Sequence, residues 1–529
     1  MTLGYVALVL HAHLPFVRHP DREDYLEERW LHEAVIECYL PLLESLERLA
    51  ADRVPFRFTL SLSPTLIAML DDPLLRERTR RYLEASTALA EREVAHTANT
   101  PVHPVAIFYR NRMRTLEHLY VDAYRCDIVT AFHEFAKAGY LDLITCAATH
   151  GFLPAYEGQP AAVRAQVRIA AEHFRRRFGH APRGFWLPEC GYFPGVDRFL
   201  REAGVQYAFV DTHGLTHARP APPMGPYAHA WTPGGLALFG RDPESSKQVW
   251  SANEGYPGDG AYREFYRDIG FERDPAHLGP LAGPNGIRTF SGFKYHRVTG
   301  PTDQKDLYDR WAAEQTAIRH AGHFVQSRAM QAAYLRGLLP GGPPPLVVAP
   351  YDAELFGHWW FEGPYFLEQV ARAAQHHQAV RFITPGDYID MHSEGQGVAE
   401  PAHSSWGYQG YADFWIDGSN HWLYRHLHGA GRQMERLAAT HSDNRALDRA
   451  LNQAARELLL AQASDWAFIL RTGTTAEYAH RRVHQHLGRF RRIAEAASKG
   501  AHPDPAWLAQ VEAADNLFPH LDYRVYTQV

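Results

Sequence analysis

Two carboxylates in this chain stand directly after short β-rich runs. Glu189 lies in Trp186-Leu187-Pro188-Glu189-Cys190-Gly191, and Asp352 lies in Pro350-Tyr351-Asp352-Ala353-Glu354. Both sit among aromatic and small residues, a setting that withholds water from a carboxyl group and raises its pKa. An acid kept protonated in this way donates to a glycosidic oxygen, while a partner that stays ionised attacks the anomeric carbon. Brought from opposite strands of one barrel mouth to roughly 5–5.5 Å, such a pair suits retaining glycoside chemistry. The plainer alternative is two loop-end acids in ordinary ion pairs.

His11-Ala12-His13 also follows a strand-like run. Two imidazoles at that spacing are how several barrel hydrolases hold a divalent metal, with Asp211 or His213 and His358 available to complete the shell. Against a metal, Leu14-Pro15 follows at once and no Asp-Asp or HxxE unit stands nearby. Contacts to sugar hydroxyls and buried core histidines are the other two readings. Thr149-His150-Gly151 offers a third imidazole, although a lone histidine is usually structural. Trp406, Trp415 and Trp422 fall close enough together to build a stacking platform for pyranose rings, or else to glue a helical domain to its neighbour. Asp465-Trp466, at the end of a helix, is equally open.

The elements that must position these residues come next. Up to about residue 390, β-rich runs alternate with helical patterns, which implies βα units around a parallel sheet. The strand candidates are Tyr5–Leu10, Phe56–Leu62, Leu141–Thr145, Gly184–Leu187, Tyr207–Val210, Ile287–Phe290, Leu346–Ala349 and Val380–Ile383. Polar residues follow several of them, as they do where parallel strands converge on a barrel mouth. Residues 1–395 therefore read as a barrel, interrupted at 212–286 by a Pro- and Gly-dense insertion whose aromatics argue against disorder. Residues 396–529 read as all-helical, with stripes along Asp443–Leu460 and from Tyr478 to Ala494, and Thr474-Thr475-Ala476-Glu477 as a capping box.

Composition narrows the partners. The 529 residues are 46% hydrophobic and 22% charged, with a formal net charge of -6, so no broad basic surface exists to neutralise phosphates and nucleic acid is not expected. Cys38, Cys126, Cys146 and Cys190 are too scattered for a disulfide framework or a cysteine zinc site. The run Tyr5–Leu10 lacks a cationic leader, and no stretch approaches the roughly 18 apolar residues of a spanning helix. A cytoplasmic protein without membrane contact is the expectation; oligomeric state is left open.

Taken together, these segments resemble glycoside hydrolase family 57, and within it the α-1,4-glucan branching subgroup. Five regions carry the resemblance: His11 to Pro15; Gly139 to Ile144 through Thr149-His150-Gly151; Trp186 to Glu189; Asp352 to Trp360; and Ser404-Ser405-Trp406-Gly407 with Trp415. Phe239 to Trp250 and Gly255 to Asp259 add likeness to the subgroup. The resemblance implies a distorted (β/α)7 barrel with an inserted subdomain and an all-α C-terminal domain. It implies Glu189 as nucleophile and Asp352 as general acid/base of a retaining transglycosylase that makes α-1,6 branches, with no cofactor and no metal. His11, His13, His150, Trp250, Trp359, Trp406, Trp415 and Asp465 would contact an α-glucan such as amylose, amylopectin or glycogen. Tyr227 would match a loop tyrosine that favours transfer over hydrolysis. Asp142 departs from the usual Glu of its region. An α-amylase-like hydrolase with the same site is the nearest alternative, and a metal-dependent polysaccharide deacetylase or mannosidase a more distant one.

Overall fold

β1 (Gly4–Ala12) is buried along its whole length, as a strand covered on both faces must be, and that is why it reads as a continuous apolar run. The computed structural model describes residues 2–23, 25–251, 254–338, 341–441 and 445–527. Eight further strands follow: β2 (Phe58–Leu62), β3 (Leu141–Cys146), β4 (Gly184–Trp186), β5 (Tyr207–Val210), β6 (Ala230–Trp231), β7 (Ala237–Gly240), β8 (Leu346–Asp352) and β9 (Val380–Phe382). Side by side in the order β7-β5-β4-β3-β2-β1-β8, seven of them run parallel, with β6 antiparallel outside β7. This is the distorted (β/α)7 barrel. The N–H of Asp242, just after β7, donates to Val348 O of β8 at 2.9 Å and so links the two ends of the row. One edge of β1 belongs to β8; the other is shared, with β2 on Val9–Ala12 and β9 on Gly4–Val6.

Alternation sorts the side chains. Tyr5, Ala7 and Val9 of β1 share an inner cluster with Ile144, Cys146, Trp186, Tyr207, Phe209, Phe239 and Val348. Val6, Leu8 and Leu10 belong to the outer core against the helices, the period of two that a strand imposes. Room inside is limited: a Cβ on Gly184 would stand 2.4 Å from the Tyr207 ring. Asp142 sits at the N-terminal end of β3 and accepts from Tyr207 Oη at 2.7 Å, so its shortened side chain serves the opposite end of the barrel from the mouth.

Several expectations are corrected. Ile287–Phe290 is not a strand; it follows the turn Pro284–Gly286, and Ile287 is exposed. The missing strand is β7, inside the stretch 212–286 whose composition reads as an insertion interrupting the barrel. Its four residues are too short to show periodicity among surrounding prolines and glycines. The irregular chain runs instead from Glu254 to the long helix Arg310–Leu338, and its short turns are pinned by buried carboxylates. Asp268 accepts from the backbone of Gly270, Ser291 and Gly292, and Glu93 binds Arg273, His277 and Tyr295.

The chain after residue 400 is helical: Trp422–Thr440, Asp448–Ala461, Ser464–Thr472, Ala476–Ser498 and Pro505–Ala514. The stripe read from Asp443 becomes the helix from Asp448, and Asp443 itself lies outside the described residues. The capping box does not form. Thr475 is the N-cap with φ -144° and ψ 47°, away from the extended backbone that aims a cap hydroxyl at the helix, and its buried Oγ1 has no partner among the described residues. Among the described residues no helix is long and apolar enough to cross a membrane.

Candidate active site

The inward phase of the strands delivers the polar residues of the mouth. In β1, Tyr5, Ala7 and Val9 are followed in the same phase by His11 and then His13; Ser61 of β2 and Asp352 of β8 both register with His11. Asp211 and Arg241 continue the inward phases of β5 and β7. Glu189 does not fall in phase with Trp186. It reaches the mouth through a 3-10 turn, Pro188–Cys190, in which Glu189 takes φ 63° and Cys190 φ 50°. Left-handed backbone at two successive non-glycine residues costs free energy, on the order of 1–3 kcal/mol each, and such strain clusters where function requires it.

Both oxygens of Glu189 are engaged. Trp406 Nε1–H donates to Oε2 at 2.8 Å and the Ser464 hydroxyl donates to Oε1 at 2.9 Å. Burial pushes the Glu189 carboxyl up to about 7 against the lowering effect of these two donors. Asp352 receives no such support: among the described residues no side chain or backbone group donates to it. Burial first, then the charges of Glu354 and Glu189, hold its carboxyl well above the usual range, with Arg241 opposing. The two acids thus differ in the sense that acid/nucleophile chemistry needs: two donors favour the ionised form of Glu189, and Asp352 has no such donor to favour its own.

The three histidines stack beside Glu189. His13 lies over His150 with ring centroids 3.8 Å apart, and His11 packs on Trp186 at 4.7 Å. His11 Nδ1 meets Ser61 Oγ at 3.0 Å and its Nε2 meets His150 Nε2 at 2.9 Å. His150 Nδ1 meets Ser464 Oγ at 2.8 Å, and His13 binds Ser63 Oγ and Asp465. Burial and the neighbouring histidines keep His11 and His150 neutral. Two sets, His11 with Cys146 and His150, and His13 with His150 and Asp465, bring possible donor atoms within 4.8 Å of one another. Yet every ring nitrogen of the three already has a protein partner, so the cluster is satisfied without a cation.

The helical domain is stapled to this wall. Gly151 bridges Ala463, Ser464 N–H donates to His150 O at 3.0 Å, and Gln166 binds Gln462 at 3.1 Å. Ser464 and Asp465, at the start of their helix, thereby enter the mouth.

The aromatic residues divide. Trp406 is half-buried, edge-on to Trp186 at 5.2 Å and to Trp250 at 6.4 Å, with the Arg241 guanidinium 5.5 Å over its ring. Trp359 is 54% exposed with one face on Phe265, leaving the other open. Trp415, in contrast, is 2% exposed and stacked on Phe152. Trp422 lies on His480 and His484 of the helical domain. The expected platform of three open tryptophans is therefore corrected, because two of the rings spend their faces on protein. Tyr227 is not brought to the carboxylates: half-buried against the outer core, its phenol lies with Asp242 and Gln331. Asp211 stands at the mouth but pairs with Arg241 and His213 rather than joining the histidine cluster, and His358 is held by Glu37. Ser61, Arg241 and Ser464 were missed in the sequence. Strand phase could have found the first two.

Comparison with known proteins matches residues 7–399 to the family model of glycosyl hydrolase family 57, and residues 426–526 to that of the C-terminal region of 1,4-alpha-glucan branching enzymes. The chain is 32% identical to the 1,4-alpha-glucan branching enzyme TK1436 of Thermococcus kodakarensis, over 97% of this chain and 77% of that protein. A solved structure of the α-amylase AmyC from Thermotoga maritima aligns over 99% of both chains with 39% identity and a TM-score of 0.92. The branching enzyme of Pyrococcus horikoshii aligns over 100% of this chain and 97% of its own, with 31% identity and a TM-score of 0.89.

Proposed function

The chain belongs to glycosyl hydrolase family 57, and from that premise we propose that it is a 1,4-alpha-glucan branching enzyme acting on amylose, amylopectin or glycogen in α-glucan biosynthesis. The observation that carries this reading is the match of residues 426–526 to the branching-enzyme C-terminal model, in a chain whose helical domain sends Ser464 and Asp465 into the barrel mouth.

In this reading Glu189 attacks the anomeric carbon of an α-1,4 bond while Asp352 protonates the departing oxygen, leaving a glycosyl ester on Glu189. Asp352, now a base, takes the proton of an acceptor 6-hydroxyl as that oxygen displaces Glu189, and the new bond is α-1,6 with retained configuration. Trp406 and Ser464 stabilise the charge that returns to Glu189. Four free cysteines, three of them buried, support a cytoplasmic setting.

A second reading rests on the α-amylase name of the 39% identical Thermotoga structure. A hydrolase would use the same carboxylates and differ only in accepting water at the second step. Incubation with amylose, counting α-1,6 bonds against new reducing ends, separates the two. Branching gives about one new α-1,6 bond per bond cleaved, whereas reducing ends without branches overturn the proposal.

A further inference from the structure

From Ser61 to Glu189 a line of four hydrogen bonds crosses the wall of the mouth: Ser61 Oγ to His11 Nδ1 at 3.0 Å, His11 Nε2 to His150 Nε2 at 2.9 Å, His150 Nδ1 to Ser464 Oγ at 2.8 Å, and Ser464 Oγ to Glu189 Oε1 at 2.9 Å. Ser61, His11, His150 and Ser464 are all buried. A neutral imidazole has one N–H and one bare nitrogen, and a hydroxyl has one hydrogen. Each member between the ends therefore donates to one neighbour and accepts from the other, and the direction of any one bond fixes the rest.

An ionised Glu189 only accepts. Ser464 must then give its hydrogen to Oε1 and accept from His150 Nδ1–H. His150 Nε2 is left bare and takes the hydrogen of His11 Nε2, while His11 Nδ1 accepts from Ser61. A protonated Glu189 calls for the opposite arrangement if its hydrogen points to Ser464. We propose that Ser464, supplied by the C-terminal helical domain, is a positioning residue that orients this line so every donor points toward Glu189, fixing the tautomers of His11 and His150 and favouring the ionised nucleophile. The inference rests on the reading of Glu189 as nucleophile.

The arrangement makes seating of the helical domain a condition of catalysis. Ser464 Oγ is held from behind by the backbone bond of its own N–H to His150 O and by the adjacent Gly151–Ala463 bridge. If that domain shifts, Glu189 loses a donor and His150 loses the partner that decides its tautomer. Other groups also bear on Glu189. Asp352 faces it from β8, Asp465 and His13 lie near it as a hydrogen-bonded pair, and Cys146, Cys190 and Tyr424 bear on it from β3, its own turn and the helix Trp422–Thr440. None of these supplies the hydrogen to Oε1 that Ser464 supplies.

Two measurements test the inference. Neutron diffraction of the wild-type protein at pD 8.5 is expected to find deuterium on His150 Nδ1 and His11 Nε2, and the Ser464 deuteron directed at Glu189. Deuterium on His150 Nε2 and His11 Nδ1 overturns the proposal whatever the protein does to glucans. Separately, Ser464→Ala should move the acid limb of the kcat/KM profile up by about one pH unit, tenfold in ionised Glu189 at a given pH. Ser464→Thr should return it, and Ser61→Ala, which touches neither Glu189 nor Ser464, should move it the same way by less. A Ser464→Ala enzyme slowed equally at every pH, with the limb unmoved, refutes the positioning role. Wild-type protein with the expected deuterium pattern but no action on amylose would instead condemn the function and leave the hydrogen-bond line standing.

Discussion

Glu189→Gln should cripple the enzyme and stabilise the fold, and the stabilisation should grow with pH. The wild-type carboxyl is raised from 4.5 to about 7 by burial. Between those values the unfolded chain has released its proton and the folded chain still holds it, so folding stability falls as pH rises and the loss is complete above about 7. At about 1.4 kcal/mol per decade, that interval is worth about 3 kcal/mol by pH 8 and only a few tenths at pH 4.5. The amide that replaces the carboxyl carries no charge at either pH and escapes the penalty. Its other effects, a lost acceptor lone pair and a new amide hydrogen, do not depend on pH and cancel in the difference. A protein of this size has an unfolding entropy of about 1.1 kcal/mol/K if it melts as one unit, so the gap in Tm between variant and wild type should widen by about 3 °C from pH 4.5 to pH 8. Differential scanning fluorimetry of the two proteins across that range reads it directly. A gap that stays constant, or that closes as pH rises, would show that burial does not hold Glu189 up and would remove the strain and desolvation account of its site. Activity on amylose should fall by several orders of magnitude in the same variant, because an amide cannot form the glycosyl ester.

Trp406→Phe keeps an aromatic ring but removes the donor to Glu189 Oε2, so kcat/KM should fall about 10–100-fold and its acid limb should move upward; a loss confined to KM would make the ring a sugar contact alone. Dialysis against a strong chelator should leave branching unchanged, since the His11, His13 and His150 nitrogens already have protein partners; activity lost and restored by zinc would revive the metal reading of the cluster. Tyr227→Phe should leave the ratio of α-1,6 bonds to reducing ends unchanged, because its hydroxyl faces Asp242 and Gln331; a lower ratio in product analysis would return this tyrosine to the mechanism.

What was legible in the sequence is what strand periodicity carries. His11, His13 and Asp352 continue the inward phase of buried strands, so residue type and alternation suffice to send them to one mouth, and Ser61 and Arg241 were available by the same argument. Glu189 was conspicuous by its neighbours, but its delivery depends on left-handed backbone that no pattern announces. Ser464 lies 275 residues from the carboxylate it supports, and nothing in Ala463-Ser464-Asp465 marks it. Trp415 and Trp422 show the opposite failure: clustered tryptophans look like a platform until their faces are found on Phe152 and on two histidines. β7 was hidden because four apolar residues between turn-formers do not establish a period, while Ile287–Phe290 had strand composition without a neighbouring edge to join.

The central claim is that turnover passes through a covalent ester on Glu189, and trapping tests it most directly. Asp352→Asn retains the nucleophile but lacks the base that activates the acceptor, while an α-maltosyl fluoride donor needs little help from an acid to depart. Intact mass spectrometry of this variant after incubation should show one maltosyl group per chain, and peptide mapping should locate it on Glu189. An adduct on any other residue, or none under conditions where the wild-type enzyme consumes the fluoride, would contradict the account.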